Sequence, residues 1–381
     1  MRITKSMKVA IVATAAIVAI APSAVAYDVT SAGATSVSTL LEKCKVAYQN
    51  STKDTLSHAG GGSSAGKTAI NAGTKDLGFS DSAHTTAAAG VFHIPAAIWP
   101  VGIAYNLNNS ASKPLQLSVD TIGKIFAGKI TRWNDPAIVK DAQRVRNIPV
   151  YETKNGVAVL DENGSPKVKS YRKLSIPFTM PNQPITVIYR SGGSGTTNNV
   201  IAALTAFAPT VWTKPVSDTF ATSNPTDVSL LAGQFQAATG SDGVAALAAR
   251  TKYSIAYIET GFIAANPALK AAQVINAAGN TTEPNVLGAQ AMFAASEFNE
   301  TTGLIKWNYM SKSPGAYPLT AATYALVKSN YGKADQVAAV KRQVEFMAFN
   351  CPVEVPNEGF ITIDKTSDLG KAILKLTAKI G

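Results

Sequence analysis

The sequence predicts an α/β fold with mostly parallel sheets, and two observations carry this prediction. Short runs of β-branched and aromatic residues alternate along the chain with stretches of helical periodicity. The 381 residues are 46% hydrophobic and 15% charged, which is an ordinary globular composition with enough apolar residues for a core. Disordered, collagen-like and coiled-coil chains are therefore excluded.

The elements are predicted in a regular order along the chain. Strands are predicted at residues 27–31, 76–80, 96–106, 186–189, 254–258 and 324–328. Apolar residues at helical spacing predict helices at residues 37–49, 67–71, 119–127, 198–207 and 337–349. Residues 140–183 are polar and basic around a turn signal at 161–164, so we interpret them as a surface β-hairpin.

The first 26 residues have the features of an export signal. Arg2, Lys5 and Lys8 precede a run of twelve residues at 9–20 that is apolar except for Thr14, and an Ala-x-Ala triplet ends at Ala26. The apolar run is too short to cross a bilayer, which needs about 20 residues. We expect cleavage after Ala26, with no lipid anchor and no membrane span, and a mature protein that is periplasmic or secreted.

Export bears on the two cysteines, Cys44 and Cys351. In an oxidising compartment they would form one disulfide, although two buried free thiols remain the alternative because sequence alone does not prove proximity. The three histidines, His58, His84 and His93, lack metal-ligand spacing, so no metal site is predicted. The net charge of +11 is spread without a dense basic block, which argues against a nucleic-acid partner.

Three segments place Gly, Ser and Thr where a strand or loop meets the start of a helix. They are Gly33 to Ser36 (GATS), Gly61 to Ser64 (GGSS) and Ser191 to Thr197 (SGGSGTT), the last directly after Arg190. The first turn of a helix has free N–H groups and a partial positive charge, and Gly lets the backbone approach an anion closely. Converging helix starts with one guanidinium favour a site for a small tetrahedral oxyanion.

Residues 61–68 also fit the ATP-binding pattern G-x-x-x-x-G-K-[ST]. That pattern requires a hydrophobic strand before it, and residues 52–58 are polar. We therefore reject the nucleotide interpretation.

An ordered set of motifs resembles the phosphate-binding component of bacterial high-affinity phosphate ABC importers and covers nearly the whole mature chain. The matching segments are Ser31-Ala32-Gly33-Ala34-Thr35, Gly62-Ser63-Ser64-Ala65-Gly66, Ser80-Asp81, residues 125–135, Arg190-Ser191-Gly192-Gly193-Ser194-Gly195-Thr196, residues 255–259 and residues 316–320. The resemblance implies an α/β, two-lobed periplasmic-binding-protein (type II) fold with the ligand in the cleft between lobes.

The same resemblance implies the lobes and the partners. Lobe one would comprise residues 27–105 plus 259–381, and lobe two residues 106–258 with the basic excursion at 140–183. Cys44 and Cys351 would then share a lobe. The partners would be inorganic phosphate and the membrane permease of the transporter, with no cofactor, no catalysis and a monomeric protein.

The family's ligand-binding positions carry over onto this sequence residue by residue. Hydroxyl donors would be Thr35, Ser63, Ser194 and Thr196, and backbone N–H donors Ser36, Gly195 and Thr196. Arg190 would supply a charged fork. Asp81 would accept the proton that phosphate keeps near neutral pH and sulfate lacks, the alternative for Asp81 being a helix cap after a strand.

The chain departs from the family pattern at three places. Gly192 stands where the family has an acid beside the arginine, Ser36 stands where it has an aromatic residue, and residues 140–183 are longer than usual. Two other functions remain open at this point: a secreted phosphatase, and an envelope-associated or adhesive protein on the same scaffold. A phosphatase would need a nucleophile with a base or metals, and Ser194 has no evident His partner.

Overall fold

The structure is a computed structural model that describes residues 26–107, 114–154, 157–159, 168–176, 179–231 and 233–381. The predicted export signal, apart from Ala26, lies outside the described residues, as does the turn predicted at 161–164. None of the helices within the described ranges is both long enough and apolar enough to cross a membrane.

The N-terminal half of the chain contains strands β1–β9 and helices α1–α4. The strands are β1 (Asp28–Gly33), β2 (Thr55–Gly61), β3 (Leu77–Ser80), β4 (Val91–Tyr105), β5 (Gln116–Ser118), β6 (Arg144–Tyr151), β7 (Thr153–Lys154), β8 (Val157–Ala158) and β9 (Val168–Ile176). The helices are α1 (Ser38–Thr52), α2 (Ser63–Ala72), α3 (Val119–Phe126) and α4 (Pro136–Ala142).

The C-terminal half contains strands β10–β18 and helices α5–α12. The strands are β10 (Thr186–Arg190), β11 (Phe235–Ala238), β12 (Ser254–Glu259), β13 (Lys270–Ala271), β14 (Gln273–Ile275), β15 (Thr281–Thr282), β16 (Glu297–Asn299), β17 (Leu304–Lys306) and β18 (Thr320–Lys328). The helices are α5 (Gly195–Phe207), α6 (Phe220–Ser223), α7 (Gly240–Arg250), α8 (Thr260–Ala264), α9 (Val286–Ala294), α10 (Ala334–Glu345), α11 (Cys351–Glu354) and α12 (Asp368–Thr377).

The main sheet has the strand order β11-β10-β12-β4-β18-β3-β1-β2. Its flanks are parallel: β1 pairs with β2 and β3, and β10 pairs with β11 and β12. Its centre is antiparallel, because β4 runs against both β12 and β18, and β18 runs against β3. The prediction of mostly parallel sheets is therefore wrong at the centre, where β4 and β18 have the continuous burial typical of parallel strands and yet pair antiparallel.

Strand β4 joins the two parallel flanks. Its residues 91–100 pair with β18, and its residues 101–105 pair with β12. Almost every residue of this strand is buried, which fits its run of β-branched, aromatic and small apolar side chains. The carboxyl ends of β1, β2, β3 and β10 carry the segments in which the sequence predicts the anion site, as is usual for ligand sites in α/β sheets.

Several elements differ from the sequence expectations, and two of these bear on the predicted segments discussed above. Strand β2 was not predicted, because it is a polar strand at the edge of the sheet with mostly exposed side chains. Strand β6 pairs antiparallel with β9, so the segment predicted as a hairpin does fold back on itself, beginning after α4.

The predicted disulfide is confirmed. Cys44 in α1 and Cys351 in α11 are bonded, with their Cα atoms 5.6 Å apart. The bond joins positions 307 residues apart in the sequence and so ties the N-terminal helix to the C-terminal part of the chain.

Candidate functional site

The three Gly/Ser segments meet at one place, with Ser63 at the centre. The Ser63 Oγ accepts hydrogen bonds from the backbone N–H of Asp81 and of Gly195, both at 3.0 Å. The Gly62 N–H donates to the Gly33 carbonyl at 2.9 Å. Ser63 is fully buried, so one hydroxyl connects the starts of α2 and α5 with the end of β3.

Gly62 shows why glycine is required at this junction. Its φ is +83°, and a Cβ there would lie 2.4 Å from the Gly193 carbonyl oxygen and 3.1 Å from Nη2 of Arg190. The backbones of the second and third segments therefore approach more closely than any side chain would permit. The Ser64 N–H faces the same Gly193 carbonyl at 3.4 Å.

Asp81, at the end of β3, is 3% exposed and surrounded by hydroxyls. Its Oδ1 accepts from Ser36 Oγ and Thr323 Oγ1, both at 2.7 Å, and its Oδ2 accepts from Thr196 Oγ1 at 3.3 Å. These partners belong to three separate elements, whereas a helix cap accepts from its own following turn. Asp81 therefore does not cap a helix, and its hydrogen bonds connect it to two of the predicted Gly/Ser segments.

Burial raises the pKa of Asp81 from 3.8 to about 6. The hydrogen bonds from Thr323 and Ser36 lower the pKa and so oppose this effect, as does the positive charge of Arg190, while the negative charge of Glu259 raises it further. A carboxyl group with such a pKa can exchange a proton with a ligand near neutral pH.

Arg190, at the end of β10, is 4% exposed and has few partners. Its Nη1 donates to Ser241 Oγ at a long 3.4 Å, and its buried Nε has no hydrogen-bond partner. Within the described residues no carboxylate lies within ion-pair distance of the guanidinium. A buried guanidinium with free donors is suited to bind an anion.

The exposed side of Arg190 faces a groove of about 790 Å³ that is also lined by Thr35 and Gly192. A Cβ at Gly192 would meet no atom within 4 Å, so the backbone leaves room for the acid that the resembled family carries there. The glycine thus leaves the guanidinium without the neighbouring carboxylate that the family pattern would provide.

Ser194 begins α5, where its Oγ accepts from the Thr197 N–H at 3.3 Å. This N-cap uses the oxygen of the hydroxyl and leaves its proton available for a ligand. Gly195 and Thr196, the next two residues, are buried in the first turn of the same helix. The structure therefore brings all eight predicted ligand-binding residues together: Thr35, Ser36, Ser63, Asp81, Arg190, Ser194, Gly195 and Thr196.

Sequence reasoning missed three residues of this site: Ser241, Thr323 and Glu259. Ser241, in the first turn of α7, contacts Arg190 and lies 3.1 Å from Thr35 Oγ1. It follows Thr239-Gly240, so the rule that found the other three Gly/Ser segments would also have found this one. Thr323 lies in a buried strand where nothing in the local sequence distinguishes it from a core residue, whereas Glu259 is an acid that ends a buried apolar strand, which is a signal that could have found it.

The ATP-like motif has a different environment from a nucleotide site. Its Lys67 Nζ donates to Ser82 Oγ and Asp218 Oδ2, both at 2.8 Å, so the lysine is already paired. A strand, β2, does precede the motif. That strand is polar and at the sheet edge, unlike the hydrophobic strand that the nucleotide motif requires.

The histidines form contacts away from Ser194. His58 contacts Ser31 and the Ala34 carbonyl, His84 contacts Asn71, and His93 accepts from the His84 N–H. Burial lowers the pKa of His58 and of His93 to about 4. Across the described ranges, no group of three or more His, Cys, Asp or Glu residues is arranged to hold a metal ion.

Comparison with known proteins places this chain in a family. A family model described as the PBP superfamily domain matches residues 19–347, which is most of the chain. The protein belongs to the PBP superfamily. A similar superfamily relative is the phosphate-binding protein PstS 3 of Mycobacterium tuberculosis, 29% identical over 304 residues, covering 75% of this chain and 69% of the relative. Another is the phosphate-binding protein PstS of Pasteurella multocida, 27% identical over 318 residues, covering 83% of this chain and 80% of the relative.

Solved structures show the same superfamily fold. A phosphate ABC transporter substrate-binding protein from Clostridium perfringens with bound phosphate aligns with a TM-score of 0.55 at 17% identity, covering 88% of this chain and 100% of its own. A human phosphate-binding apolipoprotein aligns with a TM-score of 0.63 at 19% identity, covering 92% of this chain and 94% of its own. The fold is therefore the two-lobed periplasmic-binding-protein fold, as the resemblance implied.

Proposed function

We propose that this protein captures inorganic phosphate outside the cytoplasm and delivers it to the membrane permease of an ABC importer. The observation that carries the proposal is the buried Arg190 with its unpartnered Nε, placed among three Gly/Ser segments that each open a helix. Relatives named as phosphate-binding proteins support the choice of ligand. Binding and delivery require no catalysis, so we expect no phosphatase activity.

Each site residue has a role in this proposal. Arg190 would bind phosphate through its free N–H groups, and Asp81 would accept the proton that phosphate retains. Hydroxyls would come from Thr35, Ser63 and Ser194, and backbone N–H groups from Ser36, Gly195 and Thr196. The Thr196 hydroxyl, predicted as a further donor, instead faces the carboxyl groups of Asp81 and Glu259. Donors from several elements around one buried site are the arrangement that a small oxyanion needs.

The chain would close around the ligand as two lobes, residues 27–105 plus 259–381 and residues 106–258. Val101 pairs with Glu259 where β4 passes from one flank of the sheet to the other, which supports placing the crossovers there. We further propose that residues 1–26 direct export and are removed, and that the mature protein acts as a monomer in the periplasm or as a secreted protein.

The proposal is tested by equilibrium dialysis of labelled phosphate against protein freed of bound anion. We expect Arg190→Met to lose nearly all binding, because removing a charged donor from a buried anion costs about 2–5 kcal/mol. Arg250→Met is the matched control, since Arg250 is exposed at the far end of α7, and it should bind as the wild type does.

Two results would overturn the proposal. One is wild-type protein that retains no phosphate, and the other is an Arg190→Met variant that binds as tightly as the wild type. Release of product from a chromogenic phosphate ester, abolished by a chelator, would instead favour the phosphatase interpretation.

A further inference from the structure

Glu259 is a second buried carboxyl group beside Asp81, and no function has yet been assigned to it. It ends strand β12, opposite Val101 of β4, and is 4% exposed. Its Oε1 accepts from Thr196 Oγ1 at 3.1 Å, while its buried Oε2 has no hydrogen-bond partner. A buried carboxylate oxygen without a partner is costly, so this atom requires an explanation.

The hydroxyl of Thr196 lies between the two carboxyl groups. Its Oγ1 is 3.1 Å from Glu259 Oε1 and 3.3 Å from Asp81 Oδ2. A threonine hydroxyl has one proton and can donate to only one of these oxygens at a time. The other contact is favourable only if the facing carboxyl group itself carries a proton and donates it to Oγ1. The geometry therefore fits two carboxyl groups that hold one proton between them.

The charges around the pair lead to the same conclusion. Arg190 is the cation that acts on Asp81, and Glu259 is the other charged group that does so. With both carboxyl groups ionised, the cleft would have a net charge of about −1 before any anion entered, which would repel phosphate. With one proton on the pair, the carboxyl groups and Arg190 balance.

Among the described residues, the groove beside Arg190 is also lined by Glu42, Lys43 and Asp242, and these charges together do not offset the two carboxylates. Glu358 lies near Gly261 of α8, where its charge is already paired with Lys43. Tyr257 on β12 and Tyr324 on β18 have pKa values raised to about 12 by burial, so both stay neutral in the physiological range. Val101, opposite Glu259 on β4, has no polar side-chain atom.

We propose that Asp81 and Glu259 act as one carboxyl pair that keeps a single proton in the phosphate-bound cleft, which makes Glu259 a specificity-determining residue. This inference rests on the proposed function. The arrangement that leaves Asp81 ionised towards the ligand has the proton on Glu259, which donates to Thr196 Oγ1 while Thr196 donates to Asp81 Oδ2. When pH rises high enough to remove this proton, phosphate binding must be accompanied by proton uptake, and the affinity falls.

The test is the dissociation constant of phosphate from about pH 6 to about pH 9 for the wild type and Glu259→Gln, at constant ionic strength. If binding takes up one proton, the dissociation constant of phosphate should rise by up to about tenfold more for each pH unit. Glutamine keeps the shape and removes the acid, so the variant should lose this extra slope and bind better than the wild type at the alkaline end. Glu259→Asp should keep the slope, which separates charge from packing.

Infrared spectroscopy supplies a second readout that does not depend on affinity. Phosphate-bound wild type above neutral pH should show the carbonyl band of a neutral carboxyl group, and Glu259→Gln should lack it. Glu297→Gln, at an exposed ion pair with Lys306, is the control and should retain the band.

The outcomes separate this inference from the function on which it rests. Wild type that binds no phosphate at any pH overturns both. Phosphate binding with equal slopes in wild type and Glu259→Gln, or with no neutral-carboxyl band in the wild type, overturns the carboxyl pair alone. If Glu259→Gln does not fold, the infrared band of the wild type still decides the question.

Discussion

Asp81 is an aspartate whose burial disfavours the ionised form of its carboxyl group. Its carboxyl group is nearly inaccessible to water, and its pKa is raised to about 6 mainly for that reason. Hydroxyls from Ser36 and Thr323 offset only part of the cost. A residue that lowers stability in the empty protein and improves discrimination in the filled one is a common compromise at binding sites.

We predict that Asp81→Asn stabilises the ligand-free protein at neutral pH. The native pKa lies above the unfolded value, so the native state binds more protons between about pH 4 and about pH 6, and the stability that Asp81 contributes falls as pH rises through this range. The variant lacks this loss, and its free energy of unfolding should exceed that of the wild type by about 2 kcal/mol at pH 7.

Urea unfolding at several pH values measures this difference. The gain should shrink as pH falls through this range and approach zero below about pH 4, as Asp81 becomes protonated in the unfolded state as well. A gain of the same size at every pH, or a loss of stability at neutral pH, would show that the carboxyl charge is not the cause.

At the scale of elements, helices α2 and α5 are connected by contacts outside the anion site. Lys67 in α2 pairs with Asp218, whose other oxygen accepts from Ser82 Oγ at 2.8 Å and Asn198 Nδ2 at 3.0 Å. The side chains of Lys67 and Asp218 are only 16% and 14% exposed. In the proposed division this network joins lobe one to lobe two, so it would stabilise the closed state.

We predict that Lys67→Met weakens phosphate binding without removing any phosphate ligand. Loss of a largely buried ion pair between lobes should cost the closed state about 1–2 kcal/mol, or roughly tenfold in affinity. Lys306→Met is the control. Lys306 pairs with Glu297 within one hairpin, and the two side chains are 80% and 77% exposed. Unchanged affinity in Lys67→Met, measured by calorimetry, would contradict a role for this network in closure.

The elements also show which features the sequence could predict. The starts of α1, α2 and α5 were predictable because Gly, Ser and Thr at helix starts have a direct physical meaning. Strand β2 was not, because its edge position leaves most of its side chains exposed and removes the hydrophobic signal. The placement of Thr323 and Glu259 in the site was not either, because only the antiparallel centre of the sheet brings them to Asp81 and Thr196.

At the scale of the whole molecule, the disulfide joins the two ends of the described chain. Cys44 and Cys351 are both fully buried, beside core residues of α1 and the C-terminal helices. The cross-link restricts the unfolded chain over 307 residues of sequence. The sequence left the disulfide and two free thiols open, and the fold decides between them by bringing the two helices into contact.

We predict that replacing both cysteines by serine lowers the free energy of unfolding by about 2–5 kcal/mol. The affinity for phosphate should change little, because neither cysteine contacts a site residue and the sheet that positions the site remains. Denaturant unfolding and phosphate titration of the same preparation measure both quantities. A large loss of affinity in protein that is still folded would contradict this separation of stability from binding.

The central claim is that the cleft distinguishes phosphate from sulfate by the proton that phosphate retains near neutral pH. In the dry site, fully ionised sulfate would place an anionic oxygen against Asp81 with no proton between them, a contact that costs several kcal/mol. The decisive measurement is competitive calorimetric titration of the mature protein with phosphate and sulfate at one ionic strength and neutral pH, alongside Asp81→Asn. We predict a wild-type preference for phosphate of about a thousandfold, reduced in Asp81→Asn mainly by tighter sulfate binding. Equal binding of the two anions by the wild type, or an unchanged ratio in Asp81→Asn, would contradict it.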